Sequence, residues 1–145
     1  MKISKIILCL LTIFFLSLNY NCKTKTEVST TLLEVPSIAV DESKTLTKIA
    51  LGSCNRSDYE QPLWQPILEK KPDLWIWLGD NIYGDTEDMQ ALAANYARQK
   101  NNTEYQKLLS ITPVVGVWDD HDYGVNDGGK EYPKRAESRD IMLDF

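Results

Sequence analysis

The stretch LWIWLGD, residues 74–80, is apolar at five successive positions and then stops at a glycine and an aspartate. An apolar run of strand length without alternation is typical of a strand covered on both sides, as in the parallel sheets of α/β proteins. Other segments alternate with it along the chain: strand candidates near 47–51 and 114–118, and helix candidates near 63–70, 89–99, 103–109 and 135–145. Asp88 can cap the helix near 89–99, and loops are expected over 81–87 and 119–133. This alternation predicts an α/β fold of βαβ units, with mostly parallel strands and right-handed crossovers.

The N-terminus carries the pattern of an export signal. Lys2 and Lys5 precede an unbroken apolar run over residues 6–18, which is short for a membrane span and right for a signal-peptide core. Cys22 stands where a bacterial lipoprotein receives its lipid. Asn21 occupies a place where a small residue is usual, so ordinary cleavage and an uncleaved anchor are the alternatives. We expect an exported protein, secreted or lipid-anchored in the cell envelope, with a signal peptide over 1–22, a tether over 23–45 and a folded domain over 46–145.

Charge and cysteine content narrow the range of partners. The formal net charge is -5, and removal of the two signal-peptide lysines makes the exported part more acidic, which argues against non-specific nucleic-acid binding. Export also removes Cys9, and lipidation occupies Cys22, so Cys54 has no partner for a disulfide. An unpaired thiol in an oxidising compartment is either buried and inert or held by a group such as a metal ion.

Ligand-type side chains follow each of the three predicted strands. Cys54 follows the first and Asp80 the second, and the acidic run over 119–122, with the only histidine, His121, follows the third. Each has an ordinary structural explanation: a buried cysteine, an aspartate that caps a loop, and a solvated acidic loop. Ligands bind outside the carboxyl ends of parallel strands, however, so we expect these groups to meet. Thiolate, carboxylate and imidazole together are transition-metal ligands, and a bridging carboxylate suits a two-metal site that binds a phosphoryl group.

Three motifs resemble those of a known family. GSC at 52–54, LGDNIY at 78–83 and WDDHD at 118–122 are similar, in this order, to the signatures of the alkaline phosphatase D (PhoD-like) family of calcineurin-like metallophosphoesterases. The resemblance covers about residues 48–145. It implies a partial metallophosphoesterase-type β-sandwich flanked by helices. It also implies a metal-dependent phosphoric ester hydrolase, in which metal-bound hydroxide attacks a small phosphomonoester or phosphodiester.

The resemblance also assigns roles to individual residues. It implies that Cys54 binds the first metal, that Asp80 bridges both metals and that Asp120 binds the second. It implies that His121 contacts the substrate phosphate and protonates the leaving oxygen, and that Asp122 orients the imidazole.

Further roles rest on looser matches to the family. Tyr96 is the expected match to a tyrosinate that family members place on ferric iron, and Tyr83 is the competitor. Asn81 and Arg56 are the predicted substrate-binding residues, although a surface role explains Arg56 equally well. The family pairs iron with calcium, which favours these metals, while the residues alone equally allow zinc or manganese.

Departures from the family keep two other hypotheses open. Family members supply further ligands, including histidines, from later loops, whereas this chain has one histidine. This difference predicts an N-terminal part of the domain with weak or absent activity. A serine hydrolase of the SGNH type would need a serine after Asp80, where Asn81 stands. The remaining alternative is a non-catalytic surface lipoprotein whose acidic loop binds calcium.

Overall fold

The computed structural model describes residues 38–145 of the chain. The predicted signal peptide, with Cys22, and most of the predicted tether lie outside these residues. The described part contains, in chain order, β1 (Ile49–Gly52), α1 (Trp64–Lys70), β2 (Leu74–Leu78), α2 (Met89–Lys100), α3 (Thr103–Leu109), β3 (Val114–Val117), α4 (Asp120–Tyr123) and α5 (Arg135–Leu143). No helix of this part is both long enough and apolar enough to cross a membrane.

The three strands form one parallel sheet in the order β1-β2-β3, so the apolar stretch β2 lies at its centre. Ile49 pairs with Leu74 on one side of β2, and Trp75 pairs with Val114 on the other. Parallel neighbours need a crossover connection, and here α1 joins β1 to β2 while α2 and α3 join β2 to β3. The predicted α/β class, with parallel strands and flanking helices, is confirmed.

One face of the sheet carries an aromatic core. Trp75 and Trp77, alternate residues of β2, pack with Trp64 of α1 and Tyr105 of α3, and all four side chains are buried. Trp77 Nε1 donates a hydrogen bond of 3.0 Å to the Tyr105 hydroxyl, so the indole N–H is satisfied inside the core. Truncation of a buried tryptophan to alanine typically costs about 3–5 kcal/mol, so this cluster holds α1 and α3 firmly on the sheet.

The opposite face of the sheet is largely exposed. Leu51, Leu78 and Val117, one from each strand, are 57%, 48% and 56% exposed. The expectation that β2 is covered on both sides therefore holds only in part for residues 38–145, since on this second face Leu74 is buried whereas Leu78 is exposed. The reason is topological, because strands added in sequence order by crossovers of one hand place α1 and α3 on the same face.

A second cluster lies where the chain leaves β2. Ile82 packs with Leu92 and Tyr96 of α2, and Met142 of α5 packs against this group. Phe145 packs against both clusters and so connects them. This packing fixes the start of the loop that follows β2.

The helical turn α4 lies within a segment that the sequence predicts as a loop over 119–133. Asp119 is its N-cap, and Asp119 and Asp122 form a capping box in which each side chain accepts a hydrogen bond from the backbone N–H of the other. Two carboxylates of the acidic run therefore have a local structural role.

The segment ahead of β1 is attached to Asp73, which precedes β2. The Asp73 carboxylate accepts hydrogen bonds from Lys44 Nζ at 2.7 Å, from the backbone N–H and hydroxyl of Thr47, and from the backbone N–H of Lys48. These donors, Lys44 above all, hold the pKa of Asp73 well below its usual range. Contacts with the folded domain thus reach at least to Lys44, two residues ahead of the expected domain start at residue 46.

Candidate metal centre

The carboxyl ends of the strands meet at one edge of the sheet, and the turns that follow them are sharp. Gly79 has a φ of +94°, and a Cβ at this position would lie 2.7 Å from Cβ of Asp119. Only glycine allows so close an approach of the ends of β2 and β3. Cys54 and Asp80 have left-handed φ values of 53° and 51°. Asn55 N donates a hydrogen bond of 2.8 Å to Asp80 O, which joins the loops after β1 and β2.

Ligand-type side chains converge at this edge. One ligand atom from each of Asp80, Asp120 and His121 lies within 4.8 Å of the other two. Cys54 is exposed, and its Sγ lies 3.6 Å from Asp80 Oδ2. A hydrogen bond from the backbone N–H of Asp127 to Asp120 Oδ2 lowers the pKa of Asp120 and so favours its carboxylate form. The structure thus brings together the ligand-type residues that follow three different strands.

This donor set fits a metal ion. Carboxylate, imidazole and thiolate groups are ligands of iron, zinc and manganese sites. Asp80 Oδ1 is buried and has no hydrogen-bond partner within residues 38–145. Buried carboxylate oxygens are normally hydrogen-bonded or bound to a cation, so this oxygen supports a cation site. The exposure of Cys54 also shows that the alternative of a buried, inert cysteine is wrong.

His121 is held in position by Asp85 and Tyr83. Its Nδ1 lies 2.6 Å from Asp85 Oδ1, and its ring packs on the Tyr83 ring with 4.2 Å between centroids. With Nδ1–H donated to the carboxylate, Nε2 is free to bind an ion or to carry a proton. Partial burial acts to lower the pKa of His121. The hydrogen bond and charge of Asp85, with the charges of Asp80 and Asp120, outweigh burial and raise this pKa above its usual range.

Asp122 holds the ends of β2 and β3 together. The contact with His121 that we expected from Asp122 is made by Asp85 instead. The Asp122 side chain is fully buried and accepts four hydrogen bonds, to Oδ2 from the backbone N–H groups of Asn81 and Asp119, and to Oδ1 from the backbone N–H of Ile82 and the Tyr96 hydroxyl. Burial raises the pKa of Asp122, and the donors oppose that shift. Both oxygens are thus engaged away from the imidazole.

Tyr96, the expected tyrosinate ligand, lies in the second core cluster. It is 3% exposed, and its hydroxyl donates a hydrogen bond of 3.1 Å to Asp122 Oδ1. Burial, together with the nearby charge of Asp122, raises the pKa of Tyr96 far above its usual range, which disfavours the tyrosinate. Tyr83 instead lies beside the cluster, with its ring on that of His121, and burial and the neighbouring Cys54 raise its pKa. The structure therefore brings the competitor, Tyr83, to the candidate centre.

Asn81 joins the end of β2 to β3. Its side chain is fully buried, and Nδ2 donates a hydrogen bond of 2.9 Å to the Val117 carbonyl. A buried amide in this position does not offer itself to a substrate as expected. Since the residue after Asp80 is a buried asparagine, the structure also places no hydroxyl nucleophile there, which weighs against the serine hydrolase hypothesis.

Arg56 lies at the surface beside the cluster. Its Nε and Nη2 donate to the two oxygens of Asp58 at 2.9 and 2.7 Å. The guanidinium lies over the rings of Tyr59 and Tyr83, 4.7 and 5.1 Å from their centroids. This arrangement raises the pKa of Arg56, chiefly through the hydrogen bonds to Asp58. Nη1 takes no part in the contact with Asp58, so it is the nitrogen best placed to meet an anion.

The contact of Asp85 with His121 is not predicted from the sequence. Asp85 lies in the polar loop expected over 81–87, and its only signal is an aspartate beside a glycine. Gly84 N donates to His121 O at 3.1 Å, and Thr86 N donates to Gly124 O at 2.6 Å. Backbone pairing between two loops that are distant in sequence thus sets Asp85 beside the imidazole.

Comparison of the chain with protein-family models, with curated proteins and with solved structures found no match. The resemblance to the alkaline phosphatase D family therefore rests on the three motifs and stays a prediction.

Proposed function

We propose that this chain carries the metal centre of a phosphoric ester hydrolase, of the phosphomonoesterase or phosphodiesterase type. The observation that carries the proposal is the convergence of Asp80, Asp120 and His121 within 4.8 Å at the carboxyl edge of the sheet. The loops after parallel strands are where α/β proteins build ligand sites. Asp80 Oδ1 is buried and has no hydrogen-bond partner within residues 38–145, which supports a bound cation because a buried carboxylate oxygen is normally satisfied by a donor or a cation.

The ion would be held by Asp80 and Asp120, with His121 Nε2 and the Cys54 thiolate as the further donors. When bound, it neutralises charge on phosphoryl oxygens and lowers the pKa of water. The mixed oxygen, nitrogen and sulfur donors favour iron or zinc, and the carboxylates also suit manganese, whereas calcium prefers six to eight oxygen ligands. Calcium, which the resemblance also implies, would therefore need oxygen ligands beyond this cluster.

The neighbouring residues orient the histidine and supply positive charge. Asp85 fixes the imidazole through Nδ1 and leaves Nε2 to bind the ion or to protonate the leaving oxygen. The carboxylate of Asp85, hydrogen-bonded to Nδ1, favours a protonated imidazole, which suits a proton donor. Arg56 Nη1 is the donor available for a phosphate oxygen.

The wider context is also part of the proposal. The exposed apolar side chains Leu51, Leu78 and Val117 support a second layer on the open face of the sheet, as in a β-sandwich. The apolar run over residues 6–18 and Cys22 support export and a lipid anchor. Metabolic labelling with palmitate tests the anchor: label that disappears in Cys22→Ser is expected, and an unlabelled wild-type chain contradicts it.

Cobalt substitution tests the metal centre without relying on turnover. We expect the full chain to bind Co²⁺ and to show a thiolate-to-cobalt charge-transfer band, because Cys54 adjoins Asp80. Asp80→Asn should weaken binding at least about tenfold. Cys54→Ser should remove the band, while the control Cys22→Ser should keep it. A wild-type chain that takes up no Co²⁺ contradicts the proposal, and a band that survives Cys54→Ser excludes that residue as a ligand.

Hydrolysis of nitrophenyl phosphate and of bis(nitrophenyl) phosphate tests the reaction. We expect chelator-treated protein to regain activity with iron, zinc or manganese. A protein that binds only calcium and hydrolyses neither ester would support the calcium-binding lipoprotein instead.

A further inference from the structure

The outer edge of β3 has open space beside it. Within residues 38–145, β3 pairs with β2 alone. Trp75 N donates a hydrogen bond of 3.0 Å to Pro113 O, so the backbone of Pro113 faces β2. Backbone groups alternate in direction along a strand, so the N–H and C=O groups of Val114 and Gly116 point to the outer edge. Both residues line a groove of about 360 Å³.

The far wall of this groove is apolar and accessible. It is formed at the end of α5, where Met142 and Phe145 are half-buried and Leu143 is 67% exposed. On the strand side Gly116 is exposed and has no side chain, so the backbone of another segment can lie close to β3. The groove therefore fits an extended segment with apolar side chains.

The edge of β3 lacks the features that usually protect a sheet edge. Edge strands of soluble proteins carry charged side chains, prolines or bulges that prevent pairing with further strands. The stretch VVGVW, residues 114–118, contains no charged residue and no proline. Val115 and Val117 are 40% and 56% exposed. An apolar edge of this kind favours the addition of another strand.

The segment ahead of residue 38 reaches the domain at this edge. Ile38 and Val40 line a cavity of about 170 Å³ together with Ile111 and Pro113, the residues that lead into β3. The preceding part of the chain therefore joins the domain next to the amino end of β3.

Residues 28–35, VSTTLLEV, have the composition of a strand. Four of the eight are valine or threonine, which strands favour, and Leu32 and Leu33 add apolar surface. Eight extended residues span about 26 Å, which is more than the four residues of β3 need. Pro36 follows this stretch, and proline is tolerated at the end of an outer strand.

We propose that residues 28–35, within the predicted tether, form a strand that pairs antiparallel with the outer edge of β3. The antiparallel direction follows because this segment runs toward Ile38, which lies by the amino end of β3. The segment is part of the same chain, so its high effective concentration favours it over a separate molecule. The pairing is independent of the proposed function. If Cys22 carries a lipid, the pairing also places the anchor at the end of the domain that holds the candidate metal centre.

Amide hydrogen exchange of the full chain, followed by NMR, tests the pairing. The Gly116 N–H points to the outer edge, so its exchange is fast at an open edge and slow at a paired one. We expect slow exchange in the wild type. Backbone groups alternate, so one of the variants Leu32→Pro and Leu33→Pro removes a donor to β3. That variant should speed exchange at Gly116 at least about tenfold.

Two controls accompany the proline variants. Thr26→Pro makes the same change outside the proposed strand and should leave exchange at Gly116 as in the wild type. The Val115 N–H points to β2, so its exchange should stay slow in every variant and shows that β3 is intact. If Val115 also exchanges fast in a proline variant, Leu33→Gly replaces it, because glycine weakens a strand without removing a donor. This variant should likewise speed exchange at Gly116.

Either of two results overturns the inference. One is fast exchange at Gly116 in the wild type. The other is slow exchange that persists in all variants of Leu32 and Leu33, and a dimer in sedimentation would then assign the edge of β3 to a second copy of the chain. These measurements depend on neither metal uptake nor turnover, so such a failure leaves the proposed function standing.

Discussion

Asp122 offers the sharpest test of how the strand ends are held. Asp122→Asn keeps the side-chain shape but replaces one of two oxygens that together accept four hydrogen bonds. The new amide group would face two donors, and each buried donor without an acceptor costs about 1–3 kcal/mol. Removal of a buried charge offsets part of that cost, since burial raises the pKa of Asp122. We therefore expect the free energy of unfolding to fall by about 2–4 kcal/mol, a large share of the roughly 5–15 kcal/mol of a typical domain.

Urea unfolding followed by tryptophan fluorescence measures this loss, because three tryptophans lie in the aromatic core. With a slope of about 1–3 kcal/mol per molar urea, the unfolding midpoint should fall by about 0.7–4 M. Asp85→Asn is the matched control, because it makes the same chemical change at a carboxylate that is 43% exposed and contacts His121. Near about pH 9, where the His121 imidazole is neutral and the pair contributes little, its midpoint should stay close to that of the wild type. A shift for Asp122→Asn no larger than that of the control would refute the reasoning.

Three further predictions concern titration and backbone strain. The pKa of His121, measured by NMR on the single imidazole, should lie above 6.5 and fall in Asp85→Asn. Because the pKa of His121 is raised in the folded state, the stability that comes from its contact with Asp85 is present in acid and is lost as pH rises through that pKa. Asp85→Asn should therefore lose more stability near about pH 5 than near about pH 9. Gly79→Ala places a side chain at a φ of +94° and should lower the free energy of unfolding by about 1–3 kcal/mol, as measured by thermal melts. Gly129→Ala is the control, because its Cβ would meet only the flexible end of a side chain, and its melt should match that of the wild type. Asp73→Asn should lower the melting temperature at neutral pH, and the difference from the wild type should disappear in strong acid. The reason is that the pKa of Asp73 is lowered in the folded state, so its carboxylate stabilises the fold above the unfolded-state pKa and this stability is lost as pH falls through the folded-state pKa. A constant difference across pH would contradict the role of Asp73.

Local signals predict most of the elements. The unbroken apolar run predicts β2 at its observed bounds, Leu74–Leu78, and Asp88 caps α2 as its position ahead of the helix predicts. Both signals act within a few residues of the chain, where burial and capping are decided. The turn α4 is missed because Asp119 and Asp122 form its capping box inside a segment rich in glycine and aspartate, a composition typical of loops.

Coverage of the sheet depends on topology, which local patterns do not record. The side chains of β2 are apolar on both faces, yet the aromatic core contains Trp75 and Trp77 while Leu78 stays 48% exposed. Apolar composition indicates that a strand can be covered on both faces. The order of the strands and the hand of the crossovers determine which face the helices of the same segment reach.

The sequence by itself determined that Cys54, Asp80 and His121 lie at one edge, because the carboxyl ends of parallel strands meet there and each residue follows a strand. Only the tertiary structure decided which carboxylate forms a hydrogen bond with which partner. Asp85 contacts His121, and Asp122, next to His121 in the chain, binds backbone N–H groups instead. The physical reason is that the sequence does not distinguish the partner of one aspartate from that of another. Hydrogen bonds between loops depend on distances that are set only when the strands pair.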